Sequence, residues 1–296
     1  HMATTTTTTT PASGQSQQEQ MILDYHELSK HYYDRYAESS RQMDWQSQPK
    51  PHRHFHTPLD LLPMPVLDSS FPYEQLFTPS FHSPLPLTKQ SIADMLFYSF
   101  SLSGKKKAGN NEWNLRVNPS SGNLHPCEVY LLVPPNIIGN EPDTPSLYHY
   151  NALHHGLERR ASFSRNNSSS NSSSSNNAQF RYMYVGISTI FWRESWKYGV
   201  RAFRYSELDT GHAIACLSLA AKMNGWKVEA IPELNHHQLD QLLGLVVENG
   251  TRGSYTHENE ESELLFRISM DSKEGKEQEA AQQRKDLEQM FIKKNK

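Results

Sequence analysis

The stretch Asn114–Val133, NLRVNPSSGNLHPCEVYLLV, decides the fold prediction for this chain. Its second half, Glu128–Val133, is a β-prone and largely apolar run between prolines, which predicts a buried strand. Its first half, Asn118–Pro126, contains the proline, glycine and small hydroxyl residues that are typical of a tight turn, and Arg116 stands just before it. Such a loop beside an arginine lets backbone amides approach a planar or anionic ligand, although a purely structural turn explains the same residues.

The composition predicts a globular domain with polar extensions and argues against some classes of function. Apolar residues make up 36% of the 296 residues, which is below the globular average, so part of the chain is expected to be disordered. The formal net charge of -3 gives no general attraction for nucleic acids or anionic membranes. No apolar run reaches the roughly 18 residues that a membrane-spanning helix needs.

The two cysteines, Cys127 and Cys216, are expected to be buried free thiols. They form no CxxC pair and lie among apolar residues, which favours a reducing compartment. The polar stretch at residues 1–17 lacks the apolar core of a secretory signal and the arginines of a transit peptide. We therefore expect a cytoplasmic protein, with import after removal of a presequence as the open alternative.

The sequence predicts one folded domain, residues 18–270, after a disordered low-complexity tail at 1–17. Inside this domain, residues 46–85 are rich in proline and predict an extended surface segment. Residues 164–179 consist mostly of asparagine and serine and predict a disordered loop. Residues 271–296 are charged and predict a helical tail or a linker.

Hydrophobic periodicity and capping residues place the remaining elements. Helices are expected at 17–45, 86–100, 209–225 and 235–245, with Thr88 and Asp209 as N-caps and Gly225 ending the third helix. Strands are expected at 128–133, 146–150, 181–188, 226–232 and 263–270. Residues 103–111 predict a polar basic loop, and residues 151–160 predict a loop or helical turn. The helix at 209–225 is apolar or small nearly all round, which predicts packing on both sides.

His52, His54 and His56 alternate within the proline-rich segment. On a strand, the three imidazoles would share one face and could hold a transition metal. The neighbouring sequence supplies no cysteine or carboxylate to complete a ligand set. A solvated basic loop is therefore the preferred interpretation, and we assign no metal site.

Arginine and lysine residues are interleaved with aromatic residues in the stretch 191–205. Aromatic rings between arginines suit the stacking of single-stranded nucleic acid, but the pI of about 6.6 and the isolation of the patch argue against it. A helix end whose arginines bond carbonyl groups is a second interpretation. A third comes from a resemblance that several motifs share.

Five motifs resemble, in the same order, those of the nitroreductase-like flavoproteins, and cover roughly residues 25–270. They are YHE-x-[ST]-KH ending at His31, R-x-x-P-S-[AS]-G-x-x-[HY]-P-x-E-x-Y at 116–130, K-Y-G-x-R-x-[FY]-R-Y at 197–205, D-x-G-H at 209–212 and LLGL at 242–245. The chain is most similar to the branch of SagB-type azoline oxidases. That branch uses FMN to dehydrogenate thiazolines and oxazolines in peptides.

The resemblance implies an α+β, nitroreductase-like fold with a mainly antiparallel central sheet flanked by helices. It implies FMN as the cofactor and a flavin site at a subunit interface. Lys197 and Tyr198 match the pair that lies over the flavin and assists proton removal from the substrate. The implied cofactor contacts are Arg116, Pro119, Ser120, Ser121, Gly122, Arg201, Arg204, Pro232 and Glu233.

The sequence departs from the family pattern at two places. Residues 77–84 contain no arginine where the family places arginines on the FMN phosphate, and the closing G-x-x-x-R contact is also missing. Pro232 falls where the family places a backbone amide near flavin N5, and proline has no amide hydrogen, so either Glu233 supplies the bond or this site is altered.

Two functions follow from these matches and departures. The first is an FMN-dependent oxidoreductase acting on a small conjugated, heterocyclic or peptide-derived substrate. The second is a non-catalytic relative, or one half of a tandem or heteromeric flavoprotein. Either would form a homodimer or pair with a related domain, and neither binds nucleic acid or membranes.

Overall fold

The computed structural model describes residues 16–39, 43–55, 57–65, 72–78, 83–138, 144–163, 182–245 and 259–270. Its strands are β1 (Leu59–Leu61), β2 (Leu102–Ala108), β3 (Asn111–Arg116), β4 (Cys127–Val133), β5 (Ser146–Asn151), β6 (Gly156–Ser162), β7 (Tyr182–Thr189), β8 (Lys227–Ala230) and β9 (Glu261–Ser269). Its helices are α1 (Gln17–Ser29), α2 (Lys89–Phe100), α3 (Phe191–Tyr198), α4 (Ala202–Met223) and α5 (His236–Leu243). The predictions for residues 1–15, 164–179 and 271–296 lie outside the described residues.

Seven strands form one antiparallel sheet in the order β1-β6-β5-β4-β7-β9-β8. Strand β4 lies at its centre and is buried along its whole length, because both faces are covered. Val129, Leu131 and Val133 point to the larger hydrophobic cluster, which contains α2 and α4. Tyr130 and Leu132 point to a second cluster with α5. The α+β fold with helices flanking an antiparallel sheet is confirmed.

Local sequence signals placed several element boundaries correctly. Thr88 caps α2, and its hydroxyl accepts a hydrogen bond from the Ser91 amide at 3.1 Å in a capping box. Ile92, Met95, Leu96 and Ser99 lie on the buried face of α2. Gly225 follows α4 with φ of 72°, a left-handed conformation that suits glycine after a helix.

The basic segment 103–111 was predicted as a loop, and that prediction is wrong. It forms a hairpin of β2 and β3, in which Lys105 pairs with Asn114 and Lys106 pairs with Trp113. The turn includes Gly109, whose φ of 60° allows the strands to reverse. Strand β2 is exposed along nearly its whole length, so neither of its faces needs apolar side chains. Its sequence therefore shows no alternation of polar and apolar residues, which is the pattern that predicts a strand.

Three other boundaries differ from the prediction. Helix α1 ends at Ser29 rather than near residue 45, because Lys30 is extended and the His31 ring accepts a hydrogen bond from the Ala37 amide. Residues 156–162 form the strand β6, which pairs with β5, instead of a loop. Helix α4 begins at Ala202, so Asp209 is an interior residue and not an N-cap.

The proline-rich segment is fastened to the sheet by charged and polar contacts. Arg53 pairs with Glu260, and His54 pairs with the buried Glu158. The backbone amide of Phe55 donates to Glu158 at 3.2 Å. These contacts hold the segment against the sheet. His56 lies outside the described residues, and within the described ranges no group of three His, Cys, Asp or Glu side chains is placed to hold a metal ion.

None of the described helices is both long and apolar enough to cross a membrane.

Gly186 provides a test of the packing between β7 and α5. A Cβ atom at Gly186 would lie 2.6 Å from Leu243 Cδ2, so Gly186→Ala should lower the free energy of unfolding by about 1–3 kcal/mol. Gly104→Ala is the matched control, because nothing lies within 4 Å of its Cβ position. It should change stability by less than about 0.5 kcal/mol. Urea denaturation measures both, and equal losses would contradict this packing.

Candidate functional site

The loop between β3 and β4 is a compact turn in which Pro119 and Gly122 are exposed. Gly122, Asn123 and His125 have φ of 62°, 62° and 51°, so the chain is tightly folded on itself there. The Ser120 hydroxyl accepts a hydrogen bond from the His125 amide at 2.8 Å. The Ser121 amide donates to both carboxylate oxygens of Asp209 on α4 at 3.1 Å. One contact within the loop, between Ser120 and His125, and one long-range contact, between Ser121 and Asp209, therefore hold this loop in one shape.

The structure brings this loop to Lys197 and Tyr198, the predicted catalytic pair. A Cβ atom built on Gly122 would lie 2.7 Å from the Tyr198 hydroxyl and 2.9 Å from Lys197 Nζ. A side chain at this position would displace the ends of both groups, and the φ of 62° also favours glycine. The strand pairing explains this approach. Cys127 at the start of β4 pairs with Thr189 at the end of β7, so the loop before β4 and helix α3 after β7 lie next to each other at the same end of these two strands.

Tyr205 packs against the ring of Tyr198, and Arg201 bonds to Tyr205. The rings of Tyr198 and Tyr205 pack edge to face with centroids 4.6 Å apart. Arg201 Nη1 donates to the Tyr205 hydroxyl at 2.9 Å and lies 2.7 Å from His31 Nε2. Burial, with the nearby Glu194 adding to it, raises the pKa of Tyr198, so the phenol keeps its proton at neutral pH and can act as a donor.

Arg204 and Arg116, both predicted as cofactor contacts, have partners within the chain. Arg204 Nε donates to the Ser29 hydroxyl at 3.1 Å, and the Arg204 amide donates to the Tyr25 hydroxyl at 3.0 Å, which ties α4 to α1. Arg116 is 9% exposed and donates to the Pro51 carbonyl oxygen at 2.5 Å. Both arginines therefore hold peripheral segments against the domain.

Of the remaining predicted cofactor contacts, Pro119 lies in the loop beside Lys197 and Tyr198, whereas Pro232 and Glu233 lie in another part of the fold. Pro119 is exposed beside Ser120, at the start of the loop. Pro232 and Glu233 lie in an exposed turn between β8 and α5. Strand β8 is two strands away from β7 in the sheet. The loop, Lys197 and Tyr198 thus form the compact part of the predicted site.

A buried network of ionised groups supports the start of β4. Arg193 pairs with Glu128 at 2.6 Å and donates to the His125 carbonyl oxygen at 2.6 Å. His149 lies 2.8 Å from both Glu128 and Glu158. Burial alone would raise the pKa of Glu128, but Arg193 and His149 hold it well below its usual range. These groups satisfy one another and fix the loop from below.

Glu194 is a site residue that the sequence interpretation missed. Its side chain is 0% exposed, and neither carboxyl oxygen has a hydrogen-bond partner. Desolvation raises its pKa to about 9, with the Asp209 charge adding to the shift and Lys197 opposing it. Its position three residues before Lys197 on α3, which puts both on one side of the helix, was the available signal.

Comparisons with known proteins agree with this architecture. The profile of the nitroreductase family matches residues 106–250. A protein from Anabaena variabilis, provisionally described as a nitroreductase, superposes with a TM-score of 0.58 and 22% identity over 84% of this chain and 46% of its own. The chain therefore has a nitroreductase-like fold and spans about half the length of that protein.

Two further solved structures are less similar. The E. coli microcin synthetase McbBCD complex with truncated pro-MccB17 bound gives a TM-score of 0.45 and 18% identity over 71% of this chain and 77% of the other. A nitroreductase-type protein from Ralstonia eutropha gives 0.48 and 17% over 71% and 88%. The search of curated proteins found no match.

The buried carboxyl of Glu194 predicts an unusual pH dependence of stability. The unfolded chain releases this proton above about pH 4.5, whereas the folded protein keeps it up to about pH 9, so the wild type loses stability as pH rises through that window. The glutamine side chain of the Glu194→Gln variant carries no charge at any pH in this window. The free energy of unfolding of the variant should therefore rise relative to that of the wild type, by up to about 1.4 kcal/mol per pH unit.

Urea denaturation between about pH 5 and pH 9 measures this difference. Glu229→Gln is the control, because Glu229 bonds to Arg267 and Lys227 and its pKa is lowered despite the opposing effect of burial. That variant should not gain on the wild type as pH rises. A pH-independent difference for Glu194→Gln would mean that Glu194 is ionised in the folded protein.

Proposed function

We propose that this protein is an FMN-dependent oxidoreductase that dehydrogenates a small conjugated or heterocyclic substrate, peptide-derived azolines being the first class to test. The observation that carries the proposal is the approach of Lys197 Nζ and the Tyr198 hydroxyl to the backbone of Gly122. The nitroreductase-like fold makes an FMN-type oxidoreductase the natural activity. The similarity of the motifs to SagB-type azoline oxidases supports the substrate class.

The residues of the loop fit the ring system of a flavin. Gly122 is exposed, so a flat ligand can approach its backbone on the side that Lys197 and Tyr198 do not occupy. Pro119, Ser120 and Ser121 lie in the same short turn and would line this approach. When bound, FMN would supply a hydride acceptor.

Lys197 and Tyr198 have distinct tasks in this proposal. The amine of Lys197 takes the proton that the substrate releases when its hydride leaves, and passes it to solvent. The Tyr198 phenol, which keeps its proton, donates a hydrogen bond that orients the substrate. Arg201 and Tyr205 hold the Tyr198 ring in place.

The phosphate of FMN is less well provided for within this chain. A phosphate dianion is normally held by several charge-assisted hydrogen bonds. Arg116, Arg201 and Arg204 already bond to groups of the protein itself. This observation favours a second candidate function, in which the chain is a non-catalytic relative or one half of a flavoprotein whose partner completes the site.

Helix α4 offers a surface for such pairing. It was predicted to be packed on both sides, but one side is exposed in this chain, including Leu208, Gly211, Ala215 and Leu219. These positions repeat every three or four residues and form one face. Leu208 and Leu219 are 53% and 45% exposed. We propose that a second copy or a related domain covers this face, as the family resemblance implies.

The first test of the proposed function is flavin uptake. Protein incubated with FMN and separated from free ligand should retain flavin absorbance. Gly122→Ala should weaken FMN binding at least about tenfold, since its Cβ displaces Lys197 and Tyr198, and about 1.4 kcal/mol corresponds to that factor. Gly109→Ala has the same backbone strain, with φ of 60° against 62°, but nothing within 4 Å, so it should bind FMN like the wild type.

Size-exclusion chromatography in the same experiment distinguishes the two candidates. A yellow dimer supports the first function. A colourless protein that takes up no added FMN, alone or as a dimer, contradicts the first function and leaves the second, a non-catalytic relative or one half of a flavoprotein whose partner completes the site.

The second test concerns the role of Lys197. Lys197→Ala should retain FMN but slow reduction of the bound flavin by peptide thiazolines about 10²- to 10⁴-fold, because the general base is lost. Stopped-flow absorbance measures this rate. Lys227→Ala is the control, since Lys227 is exposed and pairs with Glu229 on β8. Wild-type rates in Lys197→Ala would remove the assignment.

A further inference from the structure

Glu194 lies on α3 beside the proposed catalytic lysine, and its buried carboxyl group makes no hydrogen bond among the described residues that would stabilise the fold. Both of its carboxyl oxygens lack partners, and the side chain is fully buried. An ionised carboxylate in that setting would have no compensating donor, so the side chain must hold a proton. The neighbouring Glu128 shows the contrast, because Arg193 and His149 neutralise it.

Asp209 explains why the proton is on Glu194. The Asp209 carboxylate accepts hydrogen bonds from the Ser121 amide at 3.1 Å and from the Ser121 hydroxyl at 3.3 Å. Burial raises the pKa of Asp209, and the hydrogen bonds of Ser120 and Ser121 oppose that rise. Of the two interacting carboxyl groups, Asp209 therefore carries the negative charge and Glu194 carries the proton.

The charge of Glu194 matters because of Lys197. The two residues are three apart on α3 and share a side of the helix, and their charges interact. An ionised Glu194 would pair with the Lys197 ammonium and stabilise it. Among the described residues, the other titratable groups whose charges interact with Glu194 are Tyr198, whose phenol is neutral at physiological pH, and Asp209, whose carboxylate accepts hydrogen bonds from Ser121.

We propose that Glu194 is a positioning residue that works only as its neutral acid, leaving the Lys197 amine without a countercharge and available to take the proton from the substrate. This proposal rests on the role proposed for Lys197. Raising the pH until Glu194 ionises would create an ion pair across one turn of α3. The Lys197 amine would then be engaged by the Glu194 carboxylate and less available to the substrate.

Infrared spectroscopy tests the protonation of Glu194 directly. At pH 8, wild-type protein with ¹³C-labelled glutamate should show the carbonyl band of a protonated carboxylic acid, and this band should disappear with a midpoint near pH 9. Glu194→Gln should lack the step near pH 9. Glu263→Gln is the control, because burial raises the pKa of Glu263 to about 7, so that variant should lose only the part of the band that disappears near pH 7 and should keep the step near pH 9. The absence of an acid band above pH 8 in the wild type would overturn the proposal without needing any variant to fold.

Competitive acetylation tests the consequence for Lys197. With trace acetic anhydride and mass spectrometry, Lys197 should react at the same rate in the wild type and Glu194→Gln at pH 7, relative to Lys227 in the same sample. Well above pH 9, the wild-type lysine should react at least threefold more slowly than that of the variant. Faster reaction in Glu194→Gln already at pH 7 would reveal an ion pair in the wild type and overturn the proposal.

Neither measurement needs FMN or a substrate, so the two proposals fail separately. A protein that takes up no FMN but shows the acid band refutes the proposed activity and leaves the proton placement standing. A yellow protein with an ionised Glu194 does the reverse.

Discussion

The antiparallel pairing of β4 with β7 is the constraint on which the rest of the structure depends. Both strands are almost wholly buried at the centre of the sheet, and Cys127 at the start of one lies opposite Thr189 at the end of the other. The loop before β4 and helix α3 after β7 therefore emerge together. Gly122 meets Lys197 because of this register, and a shift of one residue would turn every side chain of β4 to the opposite face.

The buried charges beneath this junction fall into two kinds. Glu128, Arg193 and His149 neutralise one another, and their removal would leave an unpaired charge in the core, so they serve the scaffold. Glu194 has no such partner, and the Asp209 carboxylate accepts a hydrogen bond from the Ser121 amide. Proteins tolerate an unsatisfied buried acid mainly where its proton or charge is used. By this contrast, the groups with a role in the proposed reaction lie on α3, and the neutralised charges belong to the scaffold.

The arginines show how residue type and role can separate. Arg116, Arg201 and Arg204 all lie in motifs that imply ligand contacts, yet each bonds to a peripheral part of the chain, namely the segment near Pro51, His31 and helix α1. These bonds hold the peripheral segments against the domain. They also mean that an anionic ligand group must compete with existing partners or find its cations on another subunit.

The sequence by itself determined the α+β class, the buried strand β4 and the cap of α2, because apolar runs and caps are local signals, while its resemblance to a family predicted that the loop and the pair Lys197 and Tyr198 belong to one site. It missed the β2–β3 hairpin, whose exposed lysines show no alternation. It assigned Asp209 to a helix cap, since an aspartate that caps its own helix and one that binds the distant Ser121 amide look alike in sequence. Only the tertiary structure decided which charges are neutralised and which acid keeps its proton, because desolvation depends on neighbours that the fold brings from elsewhere in the chain.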